Sequence, residues 1–168
     1  MTLVLRLGVL DVPYQGVAGK TKTASADIAR HVASNGTSAP SGVTTGDVAG
    51  YLEDEYHVME NFFELHADDI LGSLEEAIGD HLQDVLSGAP PSVEPFLAGT
   101  ETVRTMFNKF IDSREMDSLG YPGIPTLAAK RGVNHRFKHP YAKSNPERPS
   151  FRDTGLYEAS FRAEVVER

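Results

Sequence analysis

The 168-residue chain contains no cysteine, so it has no disulfide framework, no thiolate metal site and no cysteine nucleophile. It also lacks long hydrophobic runs. Its N-terminal apolar stretch is interrupted by Arg6 and Asp11 and is too short for a signal peptide or a membrane span. The length fits one domain that can fold without a metal or a disulfide. We therefore expect a soluble single domain over residues 1–168.

Positive charge is missing from the centre of the chain. No lysine or arginine occurs between His31 and Val103, a stretch that holds 14 of the 24 acidic residues. Residues 129–152, in contrast, contain seven basic residues and a single acidic one, Glu147. An acidic body repels nucleic acid, which argues against a DNA-binding module. The basic segment is expected to dock on an acidic surface of a neighbouring subunit or of its own chain.

The N-terminal part of the chain is predicted to contain one strand and a long arm. Residues 2–12 have the pattern of a strand that ends before a proline. Residues 13–46 are rich in Gly, Ser and Thr and are predicted to form a flexible arm, with one short helix at 26–33.

The acidic centre of the chain is predicted to be helical. Thr44-Thr45-Gly46-Asp47 is a capping signature for a helical region that extends to about Gly88. Beyond Asp68 and Asp69 the apolar positions move to a rotated arc, which predicts a kink or a second helix there. Before that point the apolar arc consists of Tyr51, Val58, Met59, Phe62, Phe63 and Leu65.

The C-terminal part is predicted to contain shorter helices and a strand. Thr100 is the predicted cap of one helix, and a second, short helix is predicted at 126–131. Residues 139–150 contain three prolines and should be extended and irregular. The whole chain is therefore expected to be an α+β, helix-rich domain with an N-terminal strand, long amphipathic helices, extended loops and a C-terminal strand.

The end of the chain carries the most informative pattern. Asp153 and Thr154 offer side-chain oxygens that can cap free N–H groups, and Gly155 permits a sharp turn. Helical spacing then continues to Phe161, and residues 161–166 alternate like a half-buried strand. The pattern predicts a short capped turn that leads into a final strand.

Two short blocks of the sequence resemble proteins of tailed bacteriophages. Arg148-Pro149-Ser150-Phe151-Arg152-Asp153-Thr154-Gly155-Leu156, followed by Ser160-Phe161, resembles a pattern near the C-terminus of tail-completion and head–tail connector proteins. Pro125-Thr126-Leu127-Ala128-Ala129-Lys130-Arg131-Gly132 is similar to a Thr-Leu-x-x-Lys helix that precedes this motif in some of those families. The resemblance implies that the terminal strand is fixed in the fold by Asp153, Thr154, Gly155, Leu156, Ser160 and Phe161.

The resemblance also implies a function. The protein would be a structural subunit of a phage neck, without enzymatic activity or a cofactor, made in the host cytoplasm and located in the virion at the head–tail junction. It would form part of a homo-oligomeric ring beside neighbouring neck, portal-side or tail proteins, away from any membrane. DNA would pass through the channel without specific binding. The predicted interface is the basic loop, residues 132–152, with the cations Arg131, Arg136, Lys138, Lys143 and Arg148.

Two other functions stay open. A tail terminator, which caps the tube and the sheath, belongs to the same structural class, and the two blocks do not separate it from a connector. A carboxylate-bridged metal enzyme would use the constellation Glu53, Asp54, His57, Glu60 and Glu64, whose spacing places possible ligands on one helical face. No second helix repeats this Glu-x-x-His pattern, so a solvated acidic face is favoured.

Three further patterns resemble known functional motifs but lack residues or contexts that those motifs need. Residues 16–21 end like a phosphate-binding loop, but Tyr14 stands where that motif needs glycine. The triplet 153–155 resembles that of aspartic proteases, which need two such carboxylates, whereas this chain has one triplet. His135 and His139 are separated by two cations, so we expect loop or interface roles for them and not metal binding.

Overall fold

The computed structural model describes residues 2–12 and 44–168, which form the predicted α+β fold. The predicted arm, apart from its last three residues, and the predicted helix at 26–33 lie outside the described residues. Within the described ranges, every helix is too short or too polar to cross a membrane. In chain order the elements are β1 (Leu3–Val9), α1 (Thr45–Tyr56), α2 (Val58–Leu86), α3 (Leu97–Asp112), α4 (Glu115–Ser118), α5 (Leu127–Lys130), α6 (Leu156–Ser160) and β2 (Phe161–Glu167).

The two predicted strands are confirmed and pair with each other. β1 and β2 run antiparallel, from Leu3 opposite Glu167 to Val9 opposite Phe161. One face of this ribbon packs on the helices, because alternate apolar side chains of both strands contact the core. The N-terminal and C-terminal segments are thereby held together in one sheet.

Helix α1 begins where the sequence predicts. The Thr44 hydroxyl accepts from the N–H of Asp47 at 3.2 Å, and the Asp47 carboxylate accepts from the N–H of Thr44 at 2.9 Å, which is a capping box. The buried Thr45 hydroxyl donates to the Leu10 carbonyl at 2.5 Å and accepts from the N–H of Val12 at 2.8 Å. The residues on either side of the arm therefore lie side by side at the start of α1.

The predicted continuous helix is interrupted at His57. This residue has a left-handed conformation with φ of 51°, which ends α1 and lets α2 start at the next residue. The carboxylate of Glu53 accepts from the N–H groups of Met59 at 2.8 Å and Glu60 at 3.1 Å. Those two donors belong to the first turn of α2 and have no partner inside the helix, so Glu53 stabilises the break.

A kink in α2 lies at His66, whose φ of −119° and ψ of 17° are not helical. The sequence placed it slightly later, beyond Asp68 and Asp69. The imidazole ring lies against the rings of Phe62 and Phe110, and its Nε2 is 2.8 Å from a carboxylate oxygen of Glu115. These tertiary contacts, which apolar periodicity does not encode, coincide with the irregular turn.

The predicted apolar arc before the kink is right for some residues and wrong for others. Val58 and Phe62 are fully buried, whereas Phe63 and Leu65 are 42% and 52% exposed. All four residues belong to α2. Phe63 lies about 100° around the helix from Phe62, and Leu65 directly precedes the kink at His66, so only part of the predicted arc faces the core.

The core lies between α2, α3 and β2 and is mainly aromatic. Phe62, Phe107, Phe110 and Phe161 are all fully buried. The rings of Phe107 and Phe161 stack with their centroids 3.9 Å apart and their planes 9° apart. Burying each of these phenylalanines stabilises the folded state by about 1.5–3 kcal/mol. The final strand is thus anchored by its first residue.

Helix α3 begins one turn before the predicted cap. It starts at Leu97, and Thr100 lies inside it, buried, with its hydroxyl donating to the Leu97 carbonyl at 3.0 Å. The prediction that Thr100 caps this helix is therefore wrong. A Cβ atom on Gly99 would lie 2.7 Å from the Ser73 carbonyl oxygen, so glycine permits close contact between α2 and this additional turn.

Candidate assembly interface

The two blocks that carry the family resemblance lie side by side. The predicted short helix is present as α5, with Thr126 as its cap instead of its first residue, since the Thr126 hydroxyl accepts from the N–H of Ala129 at 3.2 Å. From the second block, the buried Ser150 hydroxyl accepts from the N–H of Thr126 at 3.1 Å. The N–H of Arg148 donates to the Ala129 carbonyl at 3.2 Å. These bonds hold both ends of the basic loop together.

Gly132 sets how closely the basic loop returns to α5. Its φ is 65°, in the left-handed region that favours glycine. A Cβ atom at this position would lie 2.5 Å from the carbonyl oxygen of Asn145 and 2.6 Å from that of Pro146. Any side chain would displace the backbone of the loop.

Asp153 fixes the start of the basic loop. Its Oδ1 accepts from the backbone N–H of His135 at 2.9 Å, and its Oδ2 lies 2.7 Å from the ring Nδ1. The other ring nitrogen, Nε2, lies 3.0 Å from the Tyr141 hydroxyl. His135 therefore has the loop role that its sequence context predicts, and the Asp153 carboxylate serves the loop instead of capping α6.

Arg148 lies inside the basic loop and not on its surface. Its side chain is 10% exposed, its Nε donates to the Val133 carbonyl, and one terminal nitrogen donates to the Pro149 carbonyl at 3.0 Å. Burial lowers the pKa of Arg148, and the nearby Asp153 carboxylate opposes this effect. Of the five predicted interface cations, Arg148 thus has an internal structural position.

The other four predicted cations form an exposed set, which we call the basic surface. Arg136 lies beside the sharp turn of the motif, since a Cβ atom on Gly155 would be 3.7 Å from its guanidinium group. Unlike Arg148, these side chains are directed to the outside of the domain. The basic surface consists of Arg131, Arg136, Lys138 and Lys143.

The motif residues after Asp153 build the predicted turn and strand, with the short helix α6 between them. Gly155 has φ of 78°, and the Thr154 hydroxyl accepts from the N–H of Leu156 at 3.2 Å. The carbonyl of Ser160 accepts from the N–H of Leu10, which extends the pairing with β1. Phe161 then enters the aromatic core. The motif therefore connects an exposed loop to the deepest part of the domain.

Two buried polar residues of α6 have no signal in the sequence. Glu158 is 8% exposed, and its Oε2 lies 3.5 Å from Nε of Arg152, which also pairs with Asp112 at the end of α3. Burial raises the pKa of Glu158, and Arg152 acts in the opposite direction. Tyr157 is 2% exposed, and its hydroxyl forms no hydrogen bond within the described residues. Their burial depends on α3, which is distant in sequence.

An open depression of about 420 Å³ adjoins the basic surface. Two of its three arginines are already paired with carboxylates of the same chain: Arg148 lies near Asp153, and Arg152 contacts Asp112 and Glu158. Little positive charge is left for a bound anion. The depression is lined by Asn134, Arg136, Phe137, Glu147, Arg148 and Arg152, among others.

Part of the possible metal constellation does come together. Three possible ligand atoms, one each from Glu53, His57 and Glu60, lie within 4.8 Å of one another. Asp54 and Glu64 are not in this group. The Glu53 carboxylate already caps α2, and His57 Nδ1 lies 2.9 Å from a carboxylate oxygen of Glu60. His57 and Glu60 are exposed. The arrangement is accounted for by the helix break.

Comparisons with known proteins complete this description. No family model, curated protein or solved structure matches the chain.

Proposed function

We propose that this protein is a structural subunit of the neck of a tailed bacteriophage, a head–tail connector or tail-completion protein. In this role it forms part of a ring around the DNA channel and contacts neck, portal-side or tail proteins. The observation that carries the proposal is the packing of the two motif blocks against each other. Their hydrogen bonds hold a basic loop on the outside of a domain whose core contains the last motif residue.

The charge distribution supports a role in assembly. The basic surface is exposed, whereas α2 carries exposed carboxylates and has no lysine or arginine. Opposite charges on separate surfaces steer subunits together and select their register. An acidic helical face can also line a channel through which DNA slides, because like charges prevent adhesion.

An early stop codon in the gene of the source phage tests the proposal. Electron microscopy of the lysate reports the assembly step that fails. A connector or tail-completion role predicts DNA-filled heads lying apart from tails of normal length. Expression of the intact gene in trans should restore joined particles, which controls for effects on neighbouring genes.

Other outcomes of this experiment point elsewhere. Overlong tails would assign the protein as a tail terminator. Intact infectious particles would contradict any neck role. In that case metal analysis of the purified protein is the next measurement, because the Glu53, His57 and Glu60 group is the nearest approach to an enzyme site in the described residues.

A further inference from the structure

Helix α2 continues well beyond the helix that packs against it. α3 runs antiparallel to α2, with Phe107 against Phe62 at one end and Gly99 against Ser73 and Leu74 at the other. The start of α3 therefore lies level with the turn that follows Leu74. At 1.5 Å per residue, residues 77–86 extend about 15 Å further. We call this part of α2 the distal arm.

The outer side of this region combines exposed leucines with negative charge. Leu71, Leu82 and Leu86 are 53%, 56% and 88% exposed and share one arc of the helix at 100° per residue. Glu75 lies on the same arc. We call these three leucines the leucine stripe. Of the exposed carboxylates between the kink and the end of α2, Asp68 and Glu75 lie on the arc of the leucine stripe, whereas Asp69, Glu76, Asp80 and Asp84 lie on other sides of the helix.

The basic loop offers the complementary combination. Phe137 is 45% exposed and lies between Arg136 and Lys138 in the sequence, and Tyr141 is 60% exposed two residues before Lys143. Aromatic residues and arginine are enriched at protein interfaces, where they contribute much of the binding energy. The leucine stripe and the basic loop therefore both expose apolar side chains, and the charges beside those side chains are opposite in sign.

These two surfaces lie at opposite ends of the same subunit. The basic loop is tied to the C-terminal end of α3, since Arg152 contacts Asp112 and Arg114 donates to the Glu147 carbonyl at 3.0 Å. The distal arm begins at the N-terminal end of α3. The 16 residues of α3 span about 24 Å, and the distal arm extends away from them. A subunit cannot bring its own two surfaces together.

We propose that the outer face of α2 in one copy, along the distal arm and back to Leu71, docks on the basic loop of a second copy, with the leucine stripe against Phe137 and Tyr141 and with Asp68 and Glu75 against the basic surface. The contact is heterologous, so every copy uses both surfaces and the series closes into a ring if the rotation allows it. This inference rests on the proposed function and names the partner surface within the ring.

Cross-linking tests the contact directly, because the chain has no cysteine of its own. One copy carries Leu86→Cys and a second, differently tagged copy carries Phe137→Cys. The two are mixed at low salt and high concentration and treated with a short bis-maleimide. We expect mixed products to exceed both like-with-like products. A copy with Glu164→Cys, on the exposed outer face of β2, is the matched control and should give no mixed product with Leu86→Cys.

A charge exchange then tests the chemistry of the contact. Adding Lys138→Glu to the Phe137→Cys copy should lower the mixed yield about tenfold, since like charges oppose docking. Adding Asp68→Lys and Glu75→Lys, the two carboxylates on the arc of the leucine stripe, to the Leu86→Cys copy should restore it. Circular dichroism shows that each variant is folded. Predominant Leu86-to-Leu86 products, the lack of any mixed product, or a mixed yield unaffected by Lys138→Glu would overturn the proposal.

The two proposals fail in different ways. If the stop-codon phage shows a neck defect but no mixed cross-link forms, the docking surface is wrong and the neck role stands. If the mixed cross-link forms but the phage assembles normally, the copies still associate and the neck role is wrong.

Discussion

The two halves of α2 differ in what covers them. In the first half, Val58, Phe62 and Ile70 are fully buried beneath α3 and β2. In the second half, Leu82 and Leu86 have the same apolar character but are more than half exposed. Apolar periodicity therefore identifies a face that is suited to burial without saying what buries it. In the first half the cover is intramolecular, and we propose that the exposed leucines of the second half are covered by another subunit.

The largest expected loss of stability comes from residues in the aromatic core. Phe161→Ala removes a fully buried ring that stacks on Phe107, so we expect a loss of about 3–5 kcal/mol in the free energy of unfolding. Urea titration followed by circular dichroism measures it. Phe137→Ala, on the exposed loop, should change stability by no more than about 0.5 kcal/mol. Similar losses in both variants would contradict the division into covered and uncovered aromatic residues.

A pair of glycines sharpens the same contrast. Gly132→Ala forces a side chain into a left-handed position and against two carbonyl oxygens, so it should destabilise by about 1–3 kcal/mol. Gly79→Ala, on the distal arm with no atom within 4 Å of the added Cβ, should stabilise by about 0.5–1 kcal/mol because alanine favours helix. Thermal unfolding of both variants gives the comparison. If both variants were stabilised, or both destabilised, the two glycine sites would not differ in the way the structure indicates.

Glu158 marks the boundary between the core and the basic loop and should make stability depend on pH. Burial raises its pKa, so the folded state binds more protons than the unfolded state between the two pKa values. The free energy of unfolding therefore falls as pH rises from about 4.3, the usual pKa of glutamate, through the folded value. Glu158→Gln should remove this component. The difference between the two urea curves should then change with pH over that window, and a constant difference would be inconsistent with a raised pKa.

The smallest effect on stability is expected from residues of the exposed basic surface. Arg136 and Lys138 are exposed, so the double variant Arg136→Glu with Lys138→Glu should alter the free energy of unfolding by no more than about 0.5 kcal/mol. Its defect should instead appear in assembly. Phage that carry only this variant should accumulate separate heads and tails, with normal amounts of folded subunit. A normal virion yield would show that Arg136 and Lys138 are not needed for assembly and would contradict the role proposed for the basic surface.

Features set by neighbouring residues could be read from the sequence. The capping box at Thr44, the short helix after Pro125 and the turn at Gly155 each depend on a few adjacent side chains, and the sequence predicts all three, together with the two strands. The break at His57 was not, because its stabilising contacts from Glu53 compete with a continuous helix that has the same local pattern.

The exposure of most predicted interface cations could likewise be read from local sequence. A run of cations in a proline-rich loop indicates an exposed basic segment, and four of the five predicted cations are exposed. Arg148 lies inside because the loop folds back over it, which depends on Gly132 and on Asp153. The leucine stripe is missed as a surface, because apolar spacing does not show which side of α2 packs on α3, and the stripe, including Leu71 beside α3, lies on another side.

The most direct test of the neck role is the position of the protein in the virion. Gold-labelled antibodies against this chain, applied to purified particles of the source phage and to particles opened at the neck, locate it by electron microscopy. Our account predicts label at the head–tail junction, and isolated necks should carry several copies. Label on the capsid, at the tail tip, or on no part of the particle would contradict it.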